Sequence, residues 1–206
     1  MTEEMQKNME IQILEAAEIL FIEQGLNATT TGQIAKLAGC NQALVHYYYR
    51  TKEKLFEQVF EKKIRTTISN LTLNFDTLGS FQDKICTLIE RHFDFLSQNS
   101  KLVTFLFNEV KRNPKIFQSL ISKIAVLPME TMQRIDKELK EEVKKGTVAD
   151  ISGLELLQNA VSLNVGFVLL IPIFKMIMNF SDEQINSILK NRKEEIVRTI
   201  LARLKP

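Results

Sequence analysis

Residues 21–56 read FIEQGLNATTTGQIAKLAGCNQALVHYYYRTKEKLF. Apolar side chains recur every three or four positions before and after the turn GCN at residues 39–41, which predicts two short helices. Thr30 and Gln33 form a T-x-x-Q capping box at the start of the first helix. The asparagine of the turn is a favoured N-cap for the second helix, residues 42–48. Two short helices joined at a glycine are typical of a helix-turn-helix.

The second of these helices, QALVHYYY, has side chains suited to reading DNA. In a helix-turn-helix the second helix lies in the major groove, where Gln42 can bind an adenine edge and the small Ala43 permits close approach. Lys52 falls at the start of the next helix, where a cation and free N–H groups favour a phosphate. The predicted DNA-contacting residues are Thr30, Gln42, Ala43, Leu44, His46, Tyr47, Tyr48 and Lys52.

Charge and spacing alone leave other interpretations open. The 206-residue chain has a net charge of only +2. Residues 26–65 carry seven basic and three acidic side chains, hence +4, but such a footprint also fits a solvated helix face. Consecutive tyrosines also occur as a core stripe with an exposed edge, and helical hairpins with a glycine turn occur in proteins that bind no DNA.

The rest of the chain also has the pattern of helices. Glycine (7) and proline (4) are scarce, and apolar residues recur at helical spacing with no convincing strand. The sequence predicts nine helices, or ten if Pro128 kinks or splits the helix that begins at Pro114. The helices are expected at about 9–24, 30–38, 42–48, 52–73, 81–97, 101–111, from 114 onward, 152–179 and 181–204.

The strongest apolar run, residues 161–178, raises the question of a membrane span. Asn164, Pro172 and Lys175 interrupt it, and no basic flank sets an orientation. We therefore expect a buried helix and a cytoplasmic protein, because the polar start MTEEMQKNME is no signal peptide. The two cysteines form no CxxC pair, so neither a disulfide framework nor a zinc site is predicted.

Residues 11–59 resemble the DNA-binding domain of the TetR family of bacterial transcriptional regulators. The family pattern is matched without insertion or deletion at Gly25, Thr29, Thr30, Ile34, Ala35, Ala38, Gly39, Tyr48, Lys52, Glu53 and Leu55. The chain departs from that pattern in the turn, where Cys40-Asn41 replaces Val-Ser, and at His46 and Tyr49, which replace tyrosine and phenylalanine. These departures bear on the base and phosphate contacts, and so on the operator sequence.

The resemblance implies an all-α fold with an N-terminal three-helix DNA-binding domain and a C-terminal helical domain for ligand binding and dimerisation. We expect these domains at residues 1–52 and 74–206, with a bridging helix at 52–73. The implied function is a DNA-binding transcriptional regulator, expected to be a repressor. It would bind a palindromic operator as a homodimer and be released by a hydrophobic or amphipathic small molecule, with no cofactor.

The C-terminal part supports a dimer and a ligand cavity in general terms. The last helix carries isoleucine and leucine at i, i+3, i+4 spacing, and the helix before it is apolar nearly all round, so we expect both to pack against a second subunit. Burial within one monomer is the alternative. The predicted ligand-binding residues are Phe93, Phe105, Asn108, Glu109, Met132, Asn164 and Phe167, with His92 and Gln158 as further polar candidates. Such residues also form ordinary cores.

Two other functional classes are alternatives to a DNA-binding regulator. An enzyme would need a nucleophile, a base or a metal cluster, but the sequence has no HExxH, GxSxG, Walker or GxGxxG motif and only two histidines. A helical protein-interaction module without DNA binding is the second rival, and the TetR-like segment argues against it. The sequence therefore predicts that the protein is not an enzyme.

Overall fold

The computed structural model describes residues 3–124 and 126–206, and over these residues the chain is helical without strands. It contains ten α-helices there, which confirms the all-α prediction. They are α1 Glu3–Ala28, α2 Thr31–Leu37, α3 Gln42–Tyr49, α4 Lys52–Leu71, α5 Phe81–Gln98, α6 Ser100–Arg112, α7 Pro114–Ile124, α8 Val126–Lys145, α9 Gly153–Met178 and α10 Asp182–Leu204. A short 3-10 turn, Phe75–Thr77, follows α4.

Pro128 was expected to kink or split the helix that begins at Pro114. The structure describes α7 up to Ile124 and α8 from Val126, and Ala125 lies outside the described residues. Pro128 lies within α8, and a kink or split caused by this proline stays a prediction.

Capping boxes start four of the helices, one of them the Thr30–Gln33 box that the sequence predicted. In each box the N-cap hydroxyl accepts a hydrogen bond from the backbone N–H three residues later, at 3.2 Å, and the side chain at that position bonds back to the N-cap. Each such cap contributes about 1 kcal/mol. The four pairs are Thr30–Gln33, Ser80–Asp83, Ser152–Glu155 and Ser181–Gln184.

The chain forms two compact units. The first unit contains Met1–Thr66 and Phe105–Val126, and the second contains Thr67–Thr104 and Leu127–Pro206. The unit boundaries thus fall inside α4 and α6 and after the first residue of α8. The first compact unit includes residues 105–126 together with the N-terminal helices, so the compact units differ from the functional domains expected at residues 1–52 and 74–206. Those functional domains stay predictions.

Phenylalanines from four helices form the core of the first unit. Phe56 of α4 lies 5.4 Å from Phe21 of α1 and 4.5 Å from Phe60 between ring centroids. Phe105 of α6 stacks on Phe60 at 5.1 Å, and Phe117 of α7 contacts Phe56 at 6.0 Å. Because these rings are all buried, helices α6 and α7 complete the core that the N-terminal helices begin.

Helices α5, α9 and α10 pack on one another in the second unit. Their shared core includes Phe93, Leu156, Ile196 and Ile200, each almost fully buried. Two ion pairs join neighbouring helices at its edge: Lys84 to Glu138 at 2.8 Å, and Lys193 to Asp94 at 2.9 Å.

Candidate DNA-binding surface and internal cavity

Helix α3 has one buried side and one exposed side. Val45 and Tyr49, one helical turn apart, are 1% and 3% exposed, so they fix the helix to the unit. The opposite side presents Gln42, Ala43 and His46 to solvent, together with Tyr47, which is 73% exposed. An exposed aromatic ring among polar groups on a short helix is available for contact with a partner.

The turn before α3 sets the direction of that helix. Gly39 adopts φ +70°, a conformation that favours glycine, and Asn41 then accepts a hydrogen bond from the Leu44 N–H at 2.9 Å. Helices α2 and α3 pack on each other, and α1 packs on α2. These three helices give the arrangement in which the second helix of a helix-turn-helix is presented to a DNA groove.

Gln42 is held by a residue that the sequence argument did not single out. Its Nε2 donates to Thr31 Oγ1 at 2.8 Å and lies 3.5 Å from His46 Nε2. The Gln42 side chain is thereby oriented along the exposed side of α3 while its oxygen stays available. The capping pattern T-x-x-Q identifies Thr30 in the sequence. The contact of the neighbouring Thr31 with α3 is seen only in the folded structure.

His46 is tied to the end of its own helix. Its Nδ1 lies 3.2 Å from the Arg50 carbonyl oxygen, which can only accept a hydrogen bond, so Nδ1 carries the proton. His46 Nε2 is then an acceptor on the exposed side. Arg50 itself is exposed, with φ +60° at the C-cap of α3, and adds a cation that the sequence argument did not name as a site residue.

Lys52 has a structural role as well as an available charge. Its Nζ donates to the carbonyl oxygens of Thr29 at 2.8 Å and Asn27 at 3.4 Å, at the end of α1. An ammonium group has three N–H donors, so one remains for a phosphate. The lysine therefore joins the start of α4 to the end of α1.

The other predicted DNA-contacting residues differ in exposure. Thr30 is exposed and caps α2, whereas Leu44 and Tyr48 are half-buried. The Tyr48 ring lies between its neighbours, 5.3 Å from Tyr47 and 6.2 Å from Tyr49. The Tyr49 hydroxyl donates to the Glu10 carbonyl oxygen at 3.2 Å, so the tyrosine that replaces the family's phenylalanine anchors α3 to α1.

The second unit contains a cavity of about 290 Å³. Helices α4, α5, α8 and α9 supply its walls, and almost all of the lining side chains are apolar. They are Ile68, Leu71, Thr72, Ile85, Leu88, Ile89, His92, Thr131, Met132, Ile135, Gly153, Leu156, Leu157, Ala160 and Val161. A cavity of this size and character is at the lower end of the range of small-molecule sites.

The predicted ligand-binding residues are spread over both units. Met132 lines the cavity. Phe93, Asn164 and Phe167 belong to the same unit without lining it. Phe105, Asn108 and Glu109 belong to the first unit. Their assignment to a ligand site stays a prediction.

Glu109 is almost fully buried in the first unit and has a local partner there. Its Oε2 accepts a hydrogen bond from Asn113 Nδ2 at 2.6 Å. A Cβ at Gly25 would lie 3.1 Å from Glu109 Oε1. The carboxylate thus fits closely against the helix α1 backbone.

A buried amide supports one polar group of the cavity wall. Asn164 is fully buried, and its Nδ2 donates to the Ile89 carbonyl oxygen and contacts His92 Nδ1, both at 3.1 Å. Burial lowers the pKa of His92 from 6.5 to about 4, because desolvation disfavours the charged ring. At neutral pH the imidazole is therefore uncharged.

Known proteins resemble the chain most specifically over the first of these sites. Residues 13–59 match the family model described as bacterial regulatory proteins, tetR family. The HTH-type transcriptional regulator QacR of Staphylococcus aureus is 44% identical over 52 residues, which are 25% of this chain and 28% of that protein. The fatty acid metabolism regulator protein of Bacillus subtilis is 23% identical over 114 residues, 55% of this chain and 59% of that protein. The chain thus spans less than two thirds of each.

Solved structures share the fold over nearly the whole chain. The transcriptional regulator FadR from Bacillus subtilis, in complex with stearoyl-CoA, superimposes with a TM-score of 0.70 at 18% identity, covering 94% of this chain and 98% of that one. A putative fatty acid metabolism regulator of Clostridium perfringens gives 0.70 at 20% identity, covering 95% and 99%. Residues 13–59 thus match the domain of the tetR family of bacterial regulatory proteins, and the chain has the same overall fold as these solved regulators.

Proposed function

We propose that the protein is a transcriptional repressor that binds a palindromic operator as a homodimer and is released by a hydrophobic or amphipathic small molecule. The observation that carries the proposal is the exposed side of α3. Gln42, His46 and Tyr47 face solvent there because Val45 and Tyr49 are buried beneath them. In a helix-turn-helix this is the side that enters the major groove.

The groups around α3 match the two kinds of contact that DNA binding requires. Gln42 offers an amide for a base edge, and its bond to Thr31 places that amide before DNA arrives. Arg50 at the C-cap of α3 and the remaining N–H of Lys52 at the start of α4 offer positive charge for phosphates. Base contacts would select the operator, while phosphate contacts would supply most of the affinity.

Helix α9 supports the proposed dimer. Leu156, Asn164 and Val168, spaced at multiples of four residues, are buried toward their own unit. The later part of the helix leaves a cluster of large apolar side chains exposed, Leu170, Ile173, Phe174, Met176, Ile177 and Met178. An apolar patch on this scale marks an interaction surface. Helices α9 and α10 of a second copy would cover this patch. The resulting two-fold dimer would present two recognition helices, one to each half-site of a palindrome.

Helix α9 is also long and apolar enough to cross a membrane, and only 11% of its most apolar segment is buried. Two features favour the dimer over a span. Asn164, in the middle of the helix, is fixed to the second unit by its bond to Ile89. Lys175 forms an ion pair with Asp182 of α10, which places charge beside the exposed apolar residues.

The cavity supports the proposed release by a small molecule. It is lined by α4, α5, α8 and α9, and α4 begins next to the recognition helix, so a ligand that prefers one arrangement of α4 could change operator affinity. Coupling of roughly 1–3 kcal/mol would change that affinity about 5- to 150-fold. The relative solved with stearoyl-CoA shows that a chain of this fold binds a ligand with a long apolar part.

The test is selection of bound sequences from random duplex DNA by the full chain, with binding followed at several salt concentrations. We expect an enriched palindrome whose half-sites lie about one helical turn, or a multiple of it, apart. Only weak, salt-sensitive binding without enrichment would contradict the proposed reader. Placing the enriched site over a promoter should lower transcription from it; increased transcription would contradict repression.

A further inference from the structure

We propose that the cavity of the second unit binds an uncharged apolar ligand, or the uncharged part of a larger one, through a hydrogen bond from His92 Nε2–H to an acceptor atom of the ligand. The inference rests on the proposed function in one respect, since this ligand would be the effector. The part of the effector that enters the cavity would then be uncharged and would carry a hydrogen-bond acceptor.

The lining excludes charged ligand groups. None of the lining residues that the structure describes is Asp, Glu, Lys or Arg, and the polar side chains among them are Thr72, His92 and Thr131. A carboxylate or an ammonium group transferred from water into such a wall would lose its hydration without gaining a counter-charge. An uncharged carbonyl or ether group loses much less, and one hydrogen bond offsets most of that loss.

The position of the proton on His92 follows from the atoms behind the ring. The Ile89 carbonyl oxygen can only accept a hydrogen bond, so the Asn164 amide must present its nitrogen, Nδ2, to it. The same nitrogen lies 3.1 Å from His92 Nδ1 and donates its second N–H there. Nδ1 is therefore the acceptor of the neutral ring, and the proton of His92 is on Nε2.

His92 Nε2–H is left as a donor for the ligand. Among the described residues this nitrogen has no hydrogen-bond partner, and His92 lines the cavity. The depressed pKa of the ring, about 4, keeps it neutral and in this single tautomer at neutral pH. The amide of Asn164 thus acts as a positioning group that fixes which end of the imidazole meets the ligand.

The hydroxyl of Thr72 does not compete for this role. Its Oγ1 donates to the Ile68 carbonyl oxygen at 3.0 Å, so its one proton is committed to the helix backbone. Thr131 is the other polar side chain on the lining and is 8% exposed. It serves as the matched control, because it shares the cavity with His92 while the proposed ligand bond comes from the histidine.

The binding test uses the full chain and three probes of nearly equal shape: methyl naphthyl ketone, isopropenylnaphthalene and naphthoate. They place a carbonyl, a methylene group and a carboxylate on the same apolar ring system. Affinities are measured by calorimetry for the unaltered chain, His92→Phe and Thr131→Val. We expect naphthoate to bind at least roughly tenfold more weakly than the ketone.

The variants separate the hydrogen bond from the apolar contacts. His92→Phe should reduce the preference for the ketone over the alkene by roughly three- to tenfold, the size of one hydrogen bond. Thr131→Val should leave that preference unchanged. The assignment is overturned if naphthoate binds as well as the ketone, if Thr131→Val rather than His92→Phe removes the preference, or if neither neutral probe binds.

Nitrogen NMR of histidine-labelled protein tests the proton position without a cavity variant. The chain has only two histidines, and His46→Asn assigns the signals. We expect His92 to show a protonated Nε2, whose signal moves with the ketone but not with the alkene. A proton on Nδ1, or an Nε2 signal unmoved by the ketone, overturns the assignment. Operator binding is measured separately: ketone binding without operator binding contradicts only the proposed repressor, and operator binding without ketone binding contradicts only the ligand assignment.

Discussion

Lys52 Nζ lies 2.8 Å from the carbonyl oxygen of Thr29, and this bond joins the start of α4 to the end of α1. Replacing Lys52 with methionine keeps the apolar stem and removes the donors. We expect the free energy of unfolding to fall by about 1 kcal/mol, since carbonyl oxygens at the end of α1 lose a charged donor. Denaturant unfolding measures this change, with Lys115→Met, an exposed lysine of α7, as the control.

The same variant also tests the phosphate contact. Lys52→Met should weaken binding to every DNA sequence alike and reduce the salt dependence by about one phosphate contact. Titration at several salt concentrations separates this effect from the loss of stability. A lower stability with an unchanged salt dependence would show that Lys52 serves the fold alone.

Gln42→Ala should relax base selection at one position in each half-site. The substitution removes the amide that Thr31 orients, at a cost of about 1–3 kcal/mol for the preferred base pair and little for the others. Repeating the sequence selection with the variant measures this. Gln118→Ala, the same change at an exposed position of α7, is the control. A selected sequence identical to that of the unaltered chain would remove Gln42 from the interface.

Gly25→Ala should destabilise the first unit. Gly25 has φ 84° and ψ 164°, which are accessible almost only to glycine, and a Cβ there would lie 3.1 Å from Glu109 Oε1. We expect a loss of about 1–3 kcal/mol in the free energy of unfolding. Gly32→Ala is the control. Residue 32 lies in helix α2, where alanine is favoured, and its Cβ would lie 3.8 Å from the nearest neighbouring atom, Gln42 Oε1. Equal effects of both changes would contradict the strain at Gly25.

His92 should make stability depend on pH below neutrality. Its pKa is about 4 in the folded chain and 6.5 when unperturbed, so between these values the unfolded state binds more protons. Stability from this group is therefore present above about pH 6.5 and lost as the pH falls toward 4. The loss is at most roughly 3 kcal/mol.

Unfolding experiments from pH 7 to pH 4, with His92→Gln beside the unaltered chain, isolate this contribution. Carboxylates with depressed pKa values, such as Glu142 and Glu155, titrate alike in both proteins. The difference in unfolding free energy between the two should shrink as the pH falls. A difference that stays constant would contradict a neutral, desolvated His92.

Ile177→Glu should convert the proposed dimer to a monomer. Ile177 is 69% exposed within the apolar part of α9, so a carboxylate there costs little in one chain but would be buried without a partner between two. Sedimentation measures the mass, and Met129→Glu changes an exposed methionine of α8 as the control. An unaltered protein that sediments as a monomer in buffer and associates with lipid vesicles would favour the membrane alternative.

Local signals in the sequence predicted much of the fold. The four capping boxes and the N-cap at Asn41 depend on residues within three positions of one another, so they could be found without tertiary contacts. The first helix was expected to end at about residue 24, and the helical conformation is interrupted at Gly25, with a further turn extending to Ala28. Of the six contact residues predicted on α3, Leu44 and Tyr48 are half-buried and the other four are exposed.

The cavity could not be predicted in the same way, because it depends on which unit each helix side joins. Phe105 and Glu109 lie on α6, a helix that begins in the second unit and continues in the first. Their apolar and polar character fits a ligand wall, yet Phe105 packs on Phe60 and Glu109 bonds to Asn113. Glutamate is also rarely buried in proteins, so the sequence offered no reason to expect Glu109 in the core of the first unit.

The phenylalanine core of the first unit makes the unit that carries the proposed DNA-binding surface discontinuous along the chain. A fragment ending after residue 66 would keep Phe56 and Phe60 but lose Phe105 and Phe117, which cover them. Such a fragment should be prone to aggregation, since two large rings would face water. A transplant of this unit onto another sensor would therefore have to carry residues 105–126 with it, so the two units cannot be exchanged at a single crossover point.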